Sequence, residues 1–152
     1  MPAHHRRERF ELERSTTVQA PAAAVLRRIT SPGTWPEWQL EIDSTEGPEH
    51  LSTGDVVSGK ASMLGFEVDG QSVAAEVSES AFTEDVVVGV AMTVTYSVSE
   101  GPEGTVLTHR IISELPGGPL GGLLSFFLKR RLKKMQSTLL RRLAEQPTSQ
   151  VD

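Results

Sequence analysis

One segment constrains the fold more than any other. After the break Pro116-Gly117-Gly118-Pro119, residues from about Leu120 to Glu145 carry the one long helical pattern in the chain. Leu124, Leu128, Leu132, Met135, Leu139 and Leu143 recur at spacings of four and three, so they share one stripe, while Lys129, Arg130, Lys133, Lys134, Arg141 and Arg142 fall largely outside it. At 1.5 Å per residue such a helix is about 40 Å long, and a helix draws most of its stability from whatever surface covers its apolar face. Pro147 stops it. The rest of the sequence must therefore build a surface long enough to receive the stripe.

That surface reads as antiparallel sheet. Phe10, Leu12, Thr16 and Val18 alternate with polar residues over a first strand from about Arg9 to Gln19, with Arg14 interrupting the apolar side. Pro21 opens a short helix over Ala22 to Ile29, Ser31-Pro32-Gly33 ends it, and Thr34-Trp35-Pro36-Glu37-Trp38 forms a second helical turn before a strand holding Leu40 and Ile42. Extended runs follow at Val56–Met63, Glu67–Val77, Phe82–Val90, Met92–Ser99 and Val106–Leu115. Their connections are too short for parallel crossovers. Gly59, Gly65, Gly70 and Gly89 are candidate bend points, which suits a strongly curved sheet. The expectation is an α+β chain with one domain over residues 9–146 and flexible tails at 1–8 and 147–152.

Composition removes several functions. The chain contains no Cys, so disulfides, thiolate metal sites and cysteine nucleophiles are excluded. His4 and His5 lie in the tail and His50 in a loop, which leaves no metal-ligand spacing, and neither a nucleophile elbow nor a phosphate loop with its lysine occurs. Neither a metal nor a cofactor is expected. Residues 11–128 hold seventeen acidic and five basic residues, whereas 129–142 hold seven basic residues and no acid. An acidic body with one basic stripe is a poor partner for nucleic acid. The polar, basic N-terminus lacks the apolar core of a secretory signal and no run approaches a membrane span, so a cytoplasmic protein is expected.

The element order, together with Val18-Gln19-Ala20-Pro21, Ser31-Pro32 through Trp35-Pro36-Glu37-Trp38, Gly104-Thr105-Val106-Leu107-Thr108 and the closing helix, resembles the START-like (SRPBCC) superfamily, in particular its polyketide cyclase/dehydrase and lipid-transport-like branch. The resemblance implies a helix-grip fold, a curved antiparallel sheet wrapped around the C-terminal helix. It also implies a cavity between the two that accepts a lipid, an aromatic or a polyketide-like molecule. It does not specify an activity, because one fold hosts many.

Alternation places Met92, Val94, Tyr96 and Val98 on the apolar face of one strand and Leu107, His109, Ile111 and Leu115 on that of the next. Tyr96 and His109 are the polar exceptions. They read as core residues with one satisfied hydrogen bond each or as ligand-orienting groups, and His109 is also the weak candidate for acid/base catalysis. The candidate ligand-contacting set is Trp38, Met63, Val94, Tyr96, Leu107, His109, Ile111, Leu124, Phe127 and Leu128. Asp69 and Glu76 are expected to face solvent. Of Phe126 and Phe127, one is expected to line the core or cavity. The other, Phe126 beside the basic Lys129–Lys134 stretch, is a candidate for transient contact with an anionic membrane.

The first reading is a non-enzymatic carrier or sensor of a small apolar molecule, as a monomer or homodimer. A polyketide cyclase or dehydratase using His109 or Tyr96, and a protein-interaction module acting through the basic helix, are the alternatives.

Overall fold

A computed structural model describes residues 8–63, 65–115 and 118–145. Strand β1 (Glu8–Val18) leads into α1 (Ala22–Ile29), a 3-10 turn at Pro32–Thr34 and the single turn α2 (Trp35–Trp38). Six strands follow: β2 (Ile42–Glu46), β3 (Val56–Met63), β4 (Phe66–Val77), β5 (Ala81–Val87), β6 (Ala91–Gly101) and β7 (Gly104–Leu115). The helix α3 (Gly118–Glu145) completes the described chain.

All neighbouring strands pair antiparallel in one sheet ordered β1-β7-β6-β5-β4-β3-β2. Successive strands from β2 to β7 form a meander, and β1 pairs with the last of them along its whole length, Glu8 opposite Leu115 and Val18 opposite Thr105. The chain must therefore cross from one edge of the sheet to the other between β1 and β2. The two short helices make that crossing, and Val25, Leu26, Ile29, Trp35 and Trp38 are buried along it. Register shifts in β2 and β4 add curvature. At Gly59 a β-carbon would stand 2.6 Å from the Ser44 carbonyl oxygen, so β2 and β3 approach as they do only because that residue is glycine. Gly104 adopts φ 134° at the β6–β7 turn, a backbone conformation that favours glycine.

The inner face of the sheet meets α3 in the helix-grip arrangement. Leu132, Leu139, Leu140 and Leu143 of the helix are buried, as are Phe10, Val18, Leu107 and Ile111 on the strands. The helix rests chiefly on β1 and α2 and less on β7. Arg14, which breaks the apolar alternation of β1, points its guanidinium at the helix and donates to the Ser137 hydroxyl. Its charge stays at the surface, so one arginine is tolerated on the gripping face.

Three expectations change. Leu40 lies outside β2 and is 49% exposed, because Gln39–Ile42 closes a turn through Ile42 N–H and Gln39 O at 3.0 Å before the strand begins. The fifth strand stops at Val87 rather than Val90, where Val88 N–H folds back on Val90 O and Gly89 turns with φ 76°. The helix begins at Gly118, two residues early, and its first turns carry Leu123, Leu124, Phe126 and Phe127 exposed. Asp69 and Glu76 face solvent.

Removing a buried leucine typically costs about 2–5 kcal/mol. Leu132→Ala and Leu139→Ala are each expected to lower the stability read from urea unfolding by that amount. Lys133→Ala, on the exposed side of α3, is expected to change it by less than about 0.5 kcal/mol.

Candidate functional site

The sheet curves away from a helix that covers only part of it, and a cavity of about 120 Å³ remains between them. Strands β3 to β7 supply one wall, with Val57, Ala61, Ser72, Glu84, Val86, Met92, Val94, Tyr96, His109 and Ile111. The helix supplies Leu128, Leu132, Met135 and Leu139, and α2 supplies Trp35. Gln39, Glu41, Lys60 and Arg131 also line it; Lys60 and Arg131 are exposed, and Gln39 and Glu41 are half-buried.

Each wall residue is where its strand's alternation puts it. In β5, Phe82, Glu84 and Val86 share the inner face, so Glu84 is buried at 4% exposure while its neighbour Asp85 is exposed. Ser72, inward on β4, donates its hydroxyl to Glu84 Oε1 at 2.6 Å. Burial pushes the Glu84 carboxyl from its ordinary 4.5 up to about 7; the Ser72 hydrogen bond opposes this and the Asp85 charge adds to it.

Tyr96 sits at the centre of an aromatic cluster. It stacks on Phe82 at 5.9 Å between ring centroids, meets Trp38 edge-on at 5.9 Å and packs against His109 at 4.8 Å. Burial, and next the nearby Glu84 charge, raise its phenol well above the usual range.

His109 is fixed from the helix. Gln136 Nε2 donates to Leu12 O at 3.2 Å and His109 O at 3.1 Å, and lies 3.0 Å from His109 Nδ1. The two carbonyls can only accept, so the amide nitrogen must face them. A proton on Nδ1 would then oppose the amide N–H groups. The imidazole proton therefore belongs on Nε2. Burial lowers the ring's pKa to about 3, which keeps it neutral at ordinary pH.

Of the residues singled out from sequence, Val94, Tyr96, His109, Ile111 and Leu128 line the cavity together. Trp38 and Leu107 are fully buried in the surrounding core and do not line it; Trp35, three positions before Trp38, takes the place at the wall. Leu124 is 46% exposed and Phe127 55%, neither at the cavity, because the first turns of α3 find no covering surface among the described residues. Phe126 is exposed as well, its ring edge-on to Phe127 at 5.7 Å, so neither phenylalanine enters the core. The side chain of Met63 lies outside the described residues.

Sequence reasoning passed over Ser72, Glu84 and Gln136. The signal for Glu84 was present, since Phe82, Glu84 and Val86 alternate. Among the described residues no group of acidic and histidine side chains could hold a metal, and no helix is long and apolar enough to cross a membrane.

The family model described as polyketide cyclase / dehydrase and lipid transport matches residues 9–146. No curated protein matches the sequence. Among solved structures, the di-domain ARO/CYC StfQ from the steffimycin biosynthetic pathway is similar with a TM-score of 0.76 at 14% identity, over 90% of this chain and 50% of that one. The chain thus spans half the length of that relative. The Zhui aromatase/cyclase from Streptomyces sp. R1128 is similar with a TM-score of 0.73 at 14% identity, covering 91% of this chain and 93% of that one. For Ara h 8.0201 the TM-score is 0.65 at 13% identity, with 90% and 98% covered. Likeness at such low identity shows the fold alone.

The raised pKa of Glu84 has a consequence for stability. The folded state holds a proton on Glu84 that the unfolded chain releases, so stability falls as pH rises from about 4.5 to about 7 and levels above that. Relative to Glu84→Gln, the native protein is expected to lose on the order of 3 kcal/mol across this window. Paired urea titrations at several pH values measure it; parallel curves for the two proteins would contradict it.

Proposed function

The chain belongs to the polyketide cyclase / dehydrase and lipid transport family, and from that premise we propose that it binds a small, largely apolar molecule in the cavity between the sheet and α3. The composition of the wall carries this reading. Met92, Val94 and Ile111 from the sheet face Leu128, Leu132, Met135 and Leu139 from the helix, and although polar side chains also line the cavity, the surface they leave open to it is mostly apolar. A pocket of that kind excludes strongly hydrated solutes and holds apolar ones by desolvation. Solved structures of similar fold include one described as an aromatase/cyclase and one as a di-domain ARO/CYC, and a ring-containing ligand is proposed by analogy with them.

Cyclisation or dehydration is a second reading, favoured by one observation. Such chemistry needs a group that exchanges protons near neutrality. His109 stays neutral down to about pH 3 and Tyr96 stays protonated. Glu84, at about 7, is the cavity residue suited to it.

Binding is tested with a neutral apolar fluorophore, N-phenyl-1-naphthylamine. The native protein is expected to take it up saturably. Met135→Trp, which fills the cavity from a half-buried helix position, is expected to weaken uptake by at least about tenfold, while Leu123→Ala on the exposed side leaves it unchanged. Equal affinity in a folded Met135→Trp variant would place the probe elsewhere.

A further inference from the structure

Glu84, Tyr96 and His109 form a polar band across the inner face of the sheet. Glu84 pairs with Val94 on β6, which makes Tyr96 its diagonal neighbour, and Tyr96 pairs directly with His109 on β7. All three side chains are at least nine-tenths buried and line the cavity. Each has hydrogen-bonding capacity that no described residue meets. Among the described residues, Glu84 Oε1 accepts from Ser72 while Oε2 has no partner, the Tyr96 hydroxyl has none, and His109 uses Nδ1 toward Gln136 while its Nε2–H has none.

Buried polar groups are normally satisfied, and leaving one without a partner costs about 1–3 kcal/mol. Three such groups on one wall point to a guest that supplies the missing partners. The set contains a fixed donor, His109 Nε2–H; a group that both donates and accepts, Tyr96; and a carboxyl. A hydrocarbon satisfies none of them and a ketone or ether can only accept. A hydroxyl both donates and accepts, so it can meet Glu84 in either protonation state.

Building on the cavity-binding reading above, we propose that Glu84, held in place by Ser72, is the residue by which the cavity selects its ligand, favouring an apolar ring molecule that carries a hydroxyl over one of the same shape without it. The choice depends on pH, because a hydroxyl that donates to the carboxylate stabilises the charged form. The other titratable or charged groups around Glu84 are Asp85, exposed on its own strand, Tyr96 and His109 on β6 and β7, and Glu41, Lys60 and Arg131, which also line the cavity. Of the buried ones, neither Tyr96 nor His109 changes charge near neutrality.

Calorimetric binding of 2-naphthol and its near-isostere 2-methylnaphthalene tests the inference. The native protein is expected to prefer 2-naphthol by about tenfold, the worth of one hydrogen bond to a charged group. The preference should grow between about pH 6 and pH 8 as Glu84 ionises. Glu84→Leu is expected to abolish it. Glu84→Gln, the isosteric variant, is expected to bind 2-naphthol with no pH dependence in that range. Equal affinity of the native protein for the two probes, or an unchanged preference in Glu84→Leu, would overturn the selective role while leaving the cavity as a binding site. Failure of the native protein to bind either probe would instead overturn the cavity reading.

Discussion

One helix cannot cover seven strands. The buried face of α3 is narrow beside the sheet, and it settles over β1 and α2 with a lesser hold on β7. Strands β3 to β6 curve around the helix, and their inward side chains meet it only in part. A flat sheet would leave those side chains in water. The curved one encloses them, and the enclosed space is the cavity. The space proposed to hold a guest thus follows from the same mismatch in width that shapes the fold.

Within that apolar enclosure the polar groups are held from different directions. Gln136 reaches from the helix to two strand carbonyls and the His109 ring, so one amide joins α3 to β1 and β7 and also sets the histidine tautomer. Ser72 holds Glu84 from the neighbouring strand. Tyr96 is wedged by rings on three sides, with its hydroxyl left without a protein partner among the described residues. Packing fixes where these groups stand, and burial fixes their charge: a neutral imidazole, a protonated phenol and a carboxyl balanced near neutrality. A polar band placed by packing in this way is what the proposed binding requires, apolar walls to desolvate a guest and a few polar groups to orient it.

Much of the fold was legible because its signals are local. Period-two alternation and the turn residues marked the strands, and leucine spacing marked the helix. Two boundaries shifted through local turns, at Gln39–Ile42 and Val88–Val90, but at the site the deciding contacts lay far away in sequence. Leu124 continues the leucine stripe perfectly well, yet none of the described residues covers it. Trp35 and Trp38 sit on one helical turn, and which of them reaches the cavity depends on how the chain crosses the sheet. Glu84 could have been found from Phe82 and Val86 on either side of it, but a carboxylate next to Asp85 reads as part of a solvated pair. Gln136 gave no such clue, since its partners are two backbone carbonyls and a ring nitrogen at least 27 residues away.

The central claim is that the space between β3–β7 and α3 is where a guest resides. A crystal structure of the protein with a bound apolar aromatic molecule tests this most directly. The account predicts ligand density enclosed by Val94, Tyr96 and Ile111 on one side and Leu132 and Met135 on the other, with a polar atom of the ligand within hydrogen-bonding distance of Glu84. Density confined to the outer face of the sheet or to the exposed first turns of α3, with the cavity unchanged, would contradict it.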